Sequence, residues 1–215
     1  MNQHTDTLSV SGYEHRRFIF HDPILLPAIR SFLPSKPVTI LDAGCGNGAL
    51  TAILSEMGHR SVGIDVGESG IEFAKKHRPS IPYYVASVLD DLSGIIPDGA
   101  ADVVIACEVI EHLYLPGKFL DGARRALKPG GRIIVTTPYH GYIKNLAISL
   151  LDGWDNHFGP ARDGGHIKFF SKATLSSIMQ DHGFTDLQFR GAGRLPYLWK
   201  SMVICGTNTQ PRCSG

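Results

Sequence analysis

Little in this sequence commits it to nucleic acid, to a membrane or to an oxidising compartment. Charged residues make up 19% of the chain and the formal net charge is +1 at pH 7. A dedicated nucleic-acid binder carries a marked basic excess, so the composition speaks against such a partner. The four cysteines, Cys45, Cys107, Cys205 and Cys213, form no C-x-x-C pair. That excludes a zinc ribbon or a dithiol motif and fits a reduced, cytoplasmic compartment. Long apolar runs are missing too. Phe18 to Leu33 is apolar but is broken by His21, Asp22, Pro23 and Pro27, which suits neither a signal peptide nor a membrane span. Internal repeats and low-complexity blocks are also absent. What remains is a 215-residue chain, long enough for one domain with a core on two faces of a sheet.

That chain is organised around Val38 to Met57, VTILDAGCGNGALTAILSEM. Val38, Ile40 and Leu41 read as a buried strand, and Leu50, Ile53, Leu54 and Met57 recur at helical spacing. Between them Gly44, Gly46 and Gly48 accept positive φ and carry no β-carbon to hold a ligand off the backbone. Strand, glycine-rich turn and helix open a nucleotide-binding α/β unit. The next strand, Ser61 to Asp65, ends in an acid 21 positions after Gly44, where a carboxylate can accept ribose hydroxyls. A nicotinamide-binding turn is one reading of this pattern. However, the glycines are spaced G-x-G-x-G rather than G-x-G-x-x-G, and Asp42 stands two residues before them. A pyrophosphate wants uninterrupted N–H donors at a helix N-terminus and would be repelled by that acid, whereas a cationic amino group would be attracted. The suggested ligand is an adenosine carrying an amino acid and no phosphate.

LDAGCGNG, at Leu41 to Gly48, resembles the first motif of the class I S-adenosylmethionine-dependent methyltransferases, and the resemblance runs over roughly Pro37 to Thr207. It implies an α/β fold, a Rossmann-like three-layer sandwich whose seven-stranded, mostly parallel sheet ends in an antiparallel hairpin. It implies S-adenosyl-L-methionine as cofactor and S-adenosyl-L-homocysteine as product. The donor would be held by Asp42, Ala43, Gly44 and Gly46 in the first turn, by Asp65 and Val66 after the second strand, by Ser87 after the third, and by Cys107 and Glu108 after the fourth. Ser87 stands where relatives often place an acid against the adenine amino group, and Asp90 lies further along. The chain would divide into an N-terminal helical segment (1–34), a methyltransferase domain (35–207) and a tail (208–215). In such enzymes N-terminal helices often cover the cofactor, which would make Tyr13 and Arg16 part of a lid; the alternative is a helix packed on the sheet.

Further along, helices are expected at Gly70 to His77, from Phe119 to Leu127, at Tyr142 to Leu151 and at Ser171 to His182. Strands are expected at Tyr83 to Ala86, Asp102 to Cys107, Ile133 to Val135, Phe184 to Arg190 and Trp199 to Thr207, with Pro129-Gly130-Gly131 closing the helix before Ile133. Asp152 to Gly165 reads as a long loop whose aromatics, with Tyr139, suit a pocket wall for an acceptor.

Glu108, Glu111 and His112 follow the fourth strand at i, i+3 and i+4, so one helical turn would gather them beside the donor sulfonium. Methyl transfer is an in-line displacement that mainly needs a placed nucleophile. A hydroxyl nucleophile also needs its proton taken, and His112 is the leading candidate, with Glu111 to orient it. His140 and His157 are weaker candidates near the pocket. E-x-x-E-H with the later His166 also offers two carboxylates and two imidazoles, a set suited to a divalent metal. The combination is similar to the ubiquinone-biosynthesis O-methyltransferases and to the metal-dependent small-RNA 2′-O-methyltransferases. It implies that Glu108, Glu111, His112 and His166 could together hold a divalent ion that acidifies the acceptor hydroxyl. The leading function is O-methylation of a small, aromatic or quinone-like molecule. RNA methylation and a non-catalytic cofactor-binding protein are the alternatives.

Overall fold

The computed structural model describes residues 22–159 and 164–209. Its strands are β1 (Thr39–Ala43), β2 (Arg60–Asp65), β3 (Tyr83–Val85), β4 (Ala101–Cys107), β5 (Leu127–Pro138), β6 (Phe184–Ala192) and β7 (Ser201–Asn208). Its helices are α1 (Asp22–Arg30), α2 (Ala49–Glu56), α3 (Glu68–His77), α4 (Pro116–Ala126), α5 (Tyr142–Leu150), α6 (Trp154–Phe158) and α7 (Lys172–Asp181). The strands form one sheet in the order β3-β2-β1-β4-β5-β7-β6. The first five are parallel, and β7 enters antiparallel to β5 and pairs with β6 as an antiparallel hairpin. This is the expected sandwich, and its strand order reverses direction at β1, where β2 lies on one side and β4 on the other. Open α/β sheets take ligands outside the carboxyl ends of the strands at such a point.

Alternation along each strand feeds two cores. Leu41, Val104, Ala106 and Ile133 pack with Phe119 and Leu120 of α4 and with Leu175 and Met179 of α7. Ile40, Val103, Ile105 and Ile134 pack on the other face with Leu25 and Ile29 of α1 and with Leu50 and Leu54 of α2. A fully buried side chain of this size contributes about 1.5–3 kcal/mol, so the strand ends that carry the site are fixed from both sides. The N-terminal helix expected from the sequence is therefore packed on the sheet from Asp22 onward. Tyr13 and Arg16, and the end of the tail, lie outside the described residues. Cys45, Cys107 and Cys205 are free thiols. Among the described residues no helix is long and apolar enough to cross a membrane.

Three local features differ from the sequence expectation. Strand β5 begins at Leu127, directly after α4, because Leu127 pairs with Ala101 while Arg132 pairs with Val103; the Pro129-Gly130-Gly131 stretch bulges inside the strand, with Gly130 at φ +76°. The presumed loop after Asp152 contains α6, whose Trp154 Nε1 donates to Ser149 Oγ at 2.9 Å and whose end is turned by Gly159 at φ +56°. Finally, Glu108 does not share a helical turn with Glu111 and His112. Its φ of +56° places it in the left-handed region, and the single 3₁₀ turn that follows covers only Ile110–His112.

Candidate functional site

The glycine-rich turn sits at the carboxyl end of β1 and four of its backbone donors are already in use. Gly44 and Cys45 N–H both go to Ile64 O (2.8 and 2.9 Å), Gly46 N–H goes to Asp65 Oδ2 (2.8 Å), and Gly48 N–H goes to Cys45 O (2.9 Å). A pyrophosphate would need those donors, so the geometry agrees with a phosphate-free nucleoside. Two glycines here are obligatory. Gly44 has φ +82°, and a β-carbon on it would collide with the side chain of Val109; Gly48 has φ +73°, and a β-carbon on it would lie 2.6 Å from the Tyr83 ring. Asp42 is buried beneath the turn and accepts the Thr51 hydroxyl at 2.6 Å. Burial pushes its carboxyl up to about 7 against the pull of Thr51, with Asp65 adding to the rise.

Asp65 braces the turn from β2. Its Oδ2 takes Gly46 N–H and its Oδ1 takes Gly67 N–H, each at 2.8 Å. Each carboxylate oxygen has a second lone pair for a ribose hydroxyl. Val66 follows it and is exposed at the same edge, while Ala43 is buried at the end of β1. Ser87 is engaged in a local turn: its hydroxyl accepts Leu89 N–H at 3.1 Å and its own N–H donates to Asp90 Oδ2 at 3.0 Å. The carboxylate of Asp90 therefore folds back onto the Ser87 backbone. Spacing alone hides this, because only the turn brings the two together.

The acceptor side is built after β4. Cys107 ends the strand, and burial, with Glu108 next to it, holds its thiol well above the usual range. Glu108 Oε1 accepts the Thr136 hydroxyl at 2.9 Å. Burial pushes the Glu108 carboxyl up to about 7, while the Thr136 and Ser201 hydroxyls and then Lys200 and Lys144 pull it back. The 3₁₀ turn next delivers Glu111, wholly buried, and His112, exposed. Segment 164–170 closes over them: Ile167 and Lys168 N–H both donate to Glu111 O, at 2.9 and 3.0 Å, and His112 Nδ1 lies 3.2 Å from Gly165 O. A carbonyl only accepts, so Nδ1 carries the hydrogen and a neutral His112 presents its lone pair at Nε2.

Glu111, His112 and His166 come together from two separate stretches of chain, with one ligand atom of each within 4.8 Å of the others. Glu108 is not in this trio; its left-handed backbone turns it to Thr136. Glu111 Oε1 lies 4.0 Å from His166 Nε2, and among the described residues neither Glu111 oxygen makes a short hydrogen bond. Burial first, and Glu108 second, push its carboxyl well above the ordinary carboxylate range. Its own backbone N–H and the Thr137 hydroxyl pull it back only in part, and a buried carboxyl with no short hydrogen bond, facing two imidazoles, has the donor types that a divalent cation takes. The weaker candidates stand beside it: His140, buried, contacts the rings of His157 (5.3 Å between centroids) and Phe169 (4.6 Å).

Burial, then the neighbouring Lys144 and His157, depress His140 to about 4 from 6.5. The unfolded chain then binds this proton more readily than the folded one, so stability present above pH 6.5 is lost as pH falls towards 4. The full loss is about 3 kcal/mol. His140→Phe is expected to shrink the fall in unfolding free energy between pH 7 and pH 4.5, measured by urea titration at both; an unchanged fall would show that another group drives it.

The methyltransferase domain family model matches residues 13–188 of this chain. Among curated proteins, the human mitochondrial ubiquinone biosynthesis O-methyltransferase is 31% identical over 169 residues, covering 75% of this chain and 46% of that protein. The ubiquinone biosynthesis O-methyltransferase of Paramagnetospirillum magneticum is 30% identical over 160 residues, covering 74% of this chain and 64% of that one. The chain thus spans about half to two thirds of the length of these relatives. Among solved structures, a possible histamine N-methyltransferase of Thermotoga maritima superposes with a TM-score of 0.68 at 19% identity, covering 89% of this chain and 92% of that one. An S-adenosylmethionine-dependent methyltransferase of Mesorhizobium loti gives 0.67 at 16%, covering 91% and 100%. Family match, relatives and a switch-point site whose turn already uses the N–H groups of Gly44, Cys45, Gly46 and Gly48 agree, and the chain belongs to the class I S-adenosylmethionine-dependent methyltransferases.

Proposed function

We propose that this enzyme methylates a hydroxyl group of a small-molecule acceptor, with His112 taking or orienting the hydroxyl proton. The observation that carries the reading is the Gly165 carbonyl on His112 Nδ1, which fixes the tautomer that bears its hydrogen on Nδ1 and its lone pair on Nε2 at the end of β4. In the transfer the acceptor oxygen attacks the methyl carbon, the carbon–sulfur bonding pair returns to sulfur to give S-adenosylhomocysteine, and the hydroxyl proton passes to His112 Nε2. Glu111, buried behind it, and His166 hold the electrostatics of that proton. The donor is held by Asp42, Gly44, Gly46 and Asp65 along the turn, with Val66 and Ser87 at the adenosine end and Cys107 at the floor. The relatives named ubiquinone biosynthesis O-methyltransferases support a small, aromatic or quinone-like acceptor. The net charge of +1 favours this over RNA.

A divalent ion fits the trio. Neither Glu111 oxygen makes a short hydrogen bond among the described residues, and one carboxylate with two imidazoles is a donor set for Zn, Mn or Fe. Glu111, His112 and His166 would hold it, and when bound it would supply a Lewis acid that lowers the pKa of the acceptor hydroxyl. Chelator-treated protein titrated with Mn²⁺ or Zn²⁺, alone and with S-adenosylhomocysteine, tests this, alongside release of S-adenosylhomocysteine from a panel of catechol acceptors. Retention of one ion, released in His166→Ala or weakened by more than the roughly 10–100-fold that loss of an outer-shell partner costs, would support the metal reading. Turnover by metal-free protein would leave His112 acting as a protein base, and failure to methylate any hydroxyl acceptor with or without metal would remove the O-methylation reading.

A further inference from the structure

Thr136 is wholly buried in mid-sheet, opposite Cys107 of β4 on one side and Val203 of β7 on the other. Its backbone serves the sheet, but its hydroxyl serves Glu108. The hydroxyl oxygen accepts Glu108 N–H at 3.0 Å and its hydrogen goes to Glu108 Oε1 at 2.9 Å, while the Thr136 carbonyl shares the same N–H at 3.2 Å. Cys107 Sγ lies further off, at 3.5 Å. Glu108 needs such a hold, because at φ +56° it occupies a region that a non-glycine keeps only where its surroundings over-determine it.

The turn so held carries two loads. Val109 seats its side chain in the space left by the missing β-carbon of Gly44, against the donor turn. The residues after it deliver Glu111 and His112 to the trio. A shift of Glu108 would therefore move the donor contact and the proton-accepting group relative to each other, and transfer geometry tolerates little of that.

We propose that Thr136 is a positioning residue for methyl transfer: its hydroxyl locks the left-handed Glu108, and through that turn keeps the Val109 contact on Gly44 in register with Glu111 and His112. The inference rests on the proposed function, which makes this edge the transfer site. A threonine that merely filled space would be replaced by valine at no loss, since valine has the same shape and keeps every backbone bond.

Calorimetric titration with S-adenosylhomocysteine and hydrogen exchange over residues 108–113 test it. In Thr136→Val, loss of bonds to a carboxylate and a strained N–H is expected to weaken binding about tenfold or more. Amide exchange from Glu108 to Leu113 should rise while the rest of β5 keeps its protection. Thr136→Ser and Thr136→Ala both lose the γ-methyl and differ in the hydroxyl, so they decide the question even if the valine variant does not fold. The serine variant should recover both readouts and the alanine variant neither. Unaltered binding and exchange in the alanine variant, or equal loss in serine and alanine, overturns the proposal. Failure of the proposed function is seen separately, in the unsubstituted protein, as S-adenosylhomocysteine binding without methyl transfer to any hydroxyl acceptor.

Discussion

Asp65→Ala is expected to cut the affinity for S-adenosylhomocysteine about a hundredfold or more. The carboxylate holds two backbone N–H groups, those of Gly46 and Gly67, each at 2.8 Å, and thereby ties the glycine-rich turn to the start of α3. Hydrogen bonds to a charged group contribute about 1.5–3 kcal/mol each, and the ribose hydroxyls would take the remaining lone pairs of the same oxygens. Every 1.4 kcal/mol is about tenfold in affinity, so losing the brace and the ribose contacts together exceeds two decades. Asp65→Asn should fall between, because its amide keeps one acceptor oxygen but sets an NH₂ against a backbone N–H. Calorimetry on the three proteins, with circular dichroism to check the fold, gives the order. An alanine variant that binds within about fivefold of the natural protein would contradict the assignment, since so small a loss is less than one such bond.

The place of Asp65 beside the turn was legible in the sequence because it depends on local chemistry: an acid at the end of a short apolar strand, a fixed distance from a glycine-rich turn. The fold was legible for the same kind of reason. Strand and helix periodicities alternate cleanly, and the two faces of β1 and β4 are readable from alternate residues such as Ile40 and Leu41. Where the reading failed, the deciding interaction was long-range. The E-x-x-E-H spacing implies one helical turn, but Thr136, 28 positions away, draws Glu108 into the left-handed region and out of the trio. Pairing of Leu127 with Ala101 likewise starts β5 at the last residue of the expected helix, ahead of the Pro129-Gly130-Gly131 stop. The meeting of His166 with Glu111 depends on two backbone bonds from Ile167 and Lys168 to the Glu111 carbonyl. Nothing in the spacing of those residues encodes that contact; the family resemblance is what pointed to it.

His112→Ala is expected to lower turnover about 10²–10⁴-fold, the usual worth of a positioned general base, while S-adenosylhomocysteine affinity changes less than about threefold, well within one hydrogen bond. The separation follows from the geometry. The donor turn is held by Ile64, Asp65, Thr51 and Val109, and none of these contacts passes through the His112 ring. His112 is fixed instead from the acceptor side, by the Gly165 carbonyl. His166→Ala divides the two forms of the proposal. With a protein base, His166 acts only through the field at Glu111, and its loss should shift the pH dependence of turnover more than its maximum. With a divalent ion, His112 and His166 are equivalent ligands, both substitutions should release the ion, and added Mn²⁺ or Zn²⁺ at high concentration should partly restore the His166 variant. A His112 variant that turns over at the natural rate would exclude both forms. The proton would then have to leave through another group, and the half-buried Glu108 carboxyl, raised to about 7 at the same edge, would be the next residue to substitute.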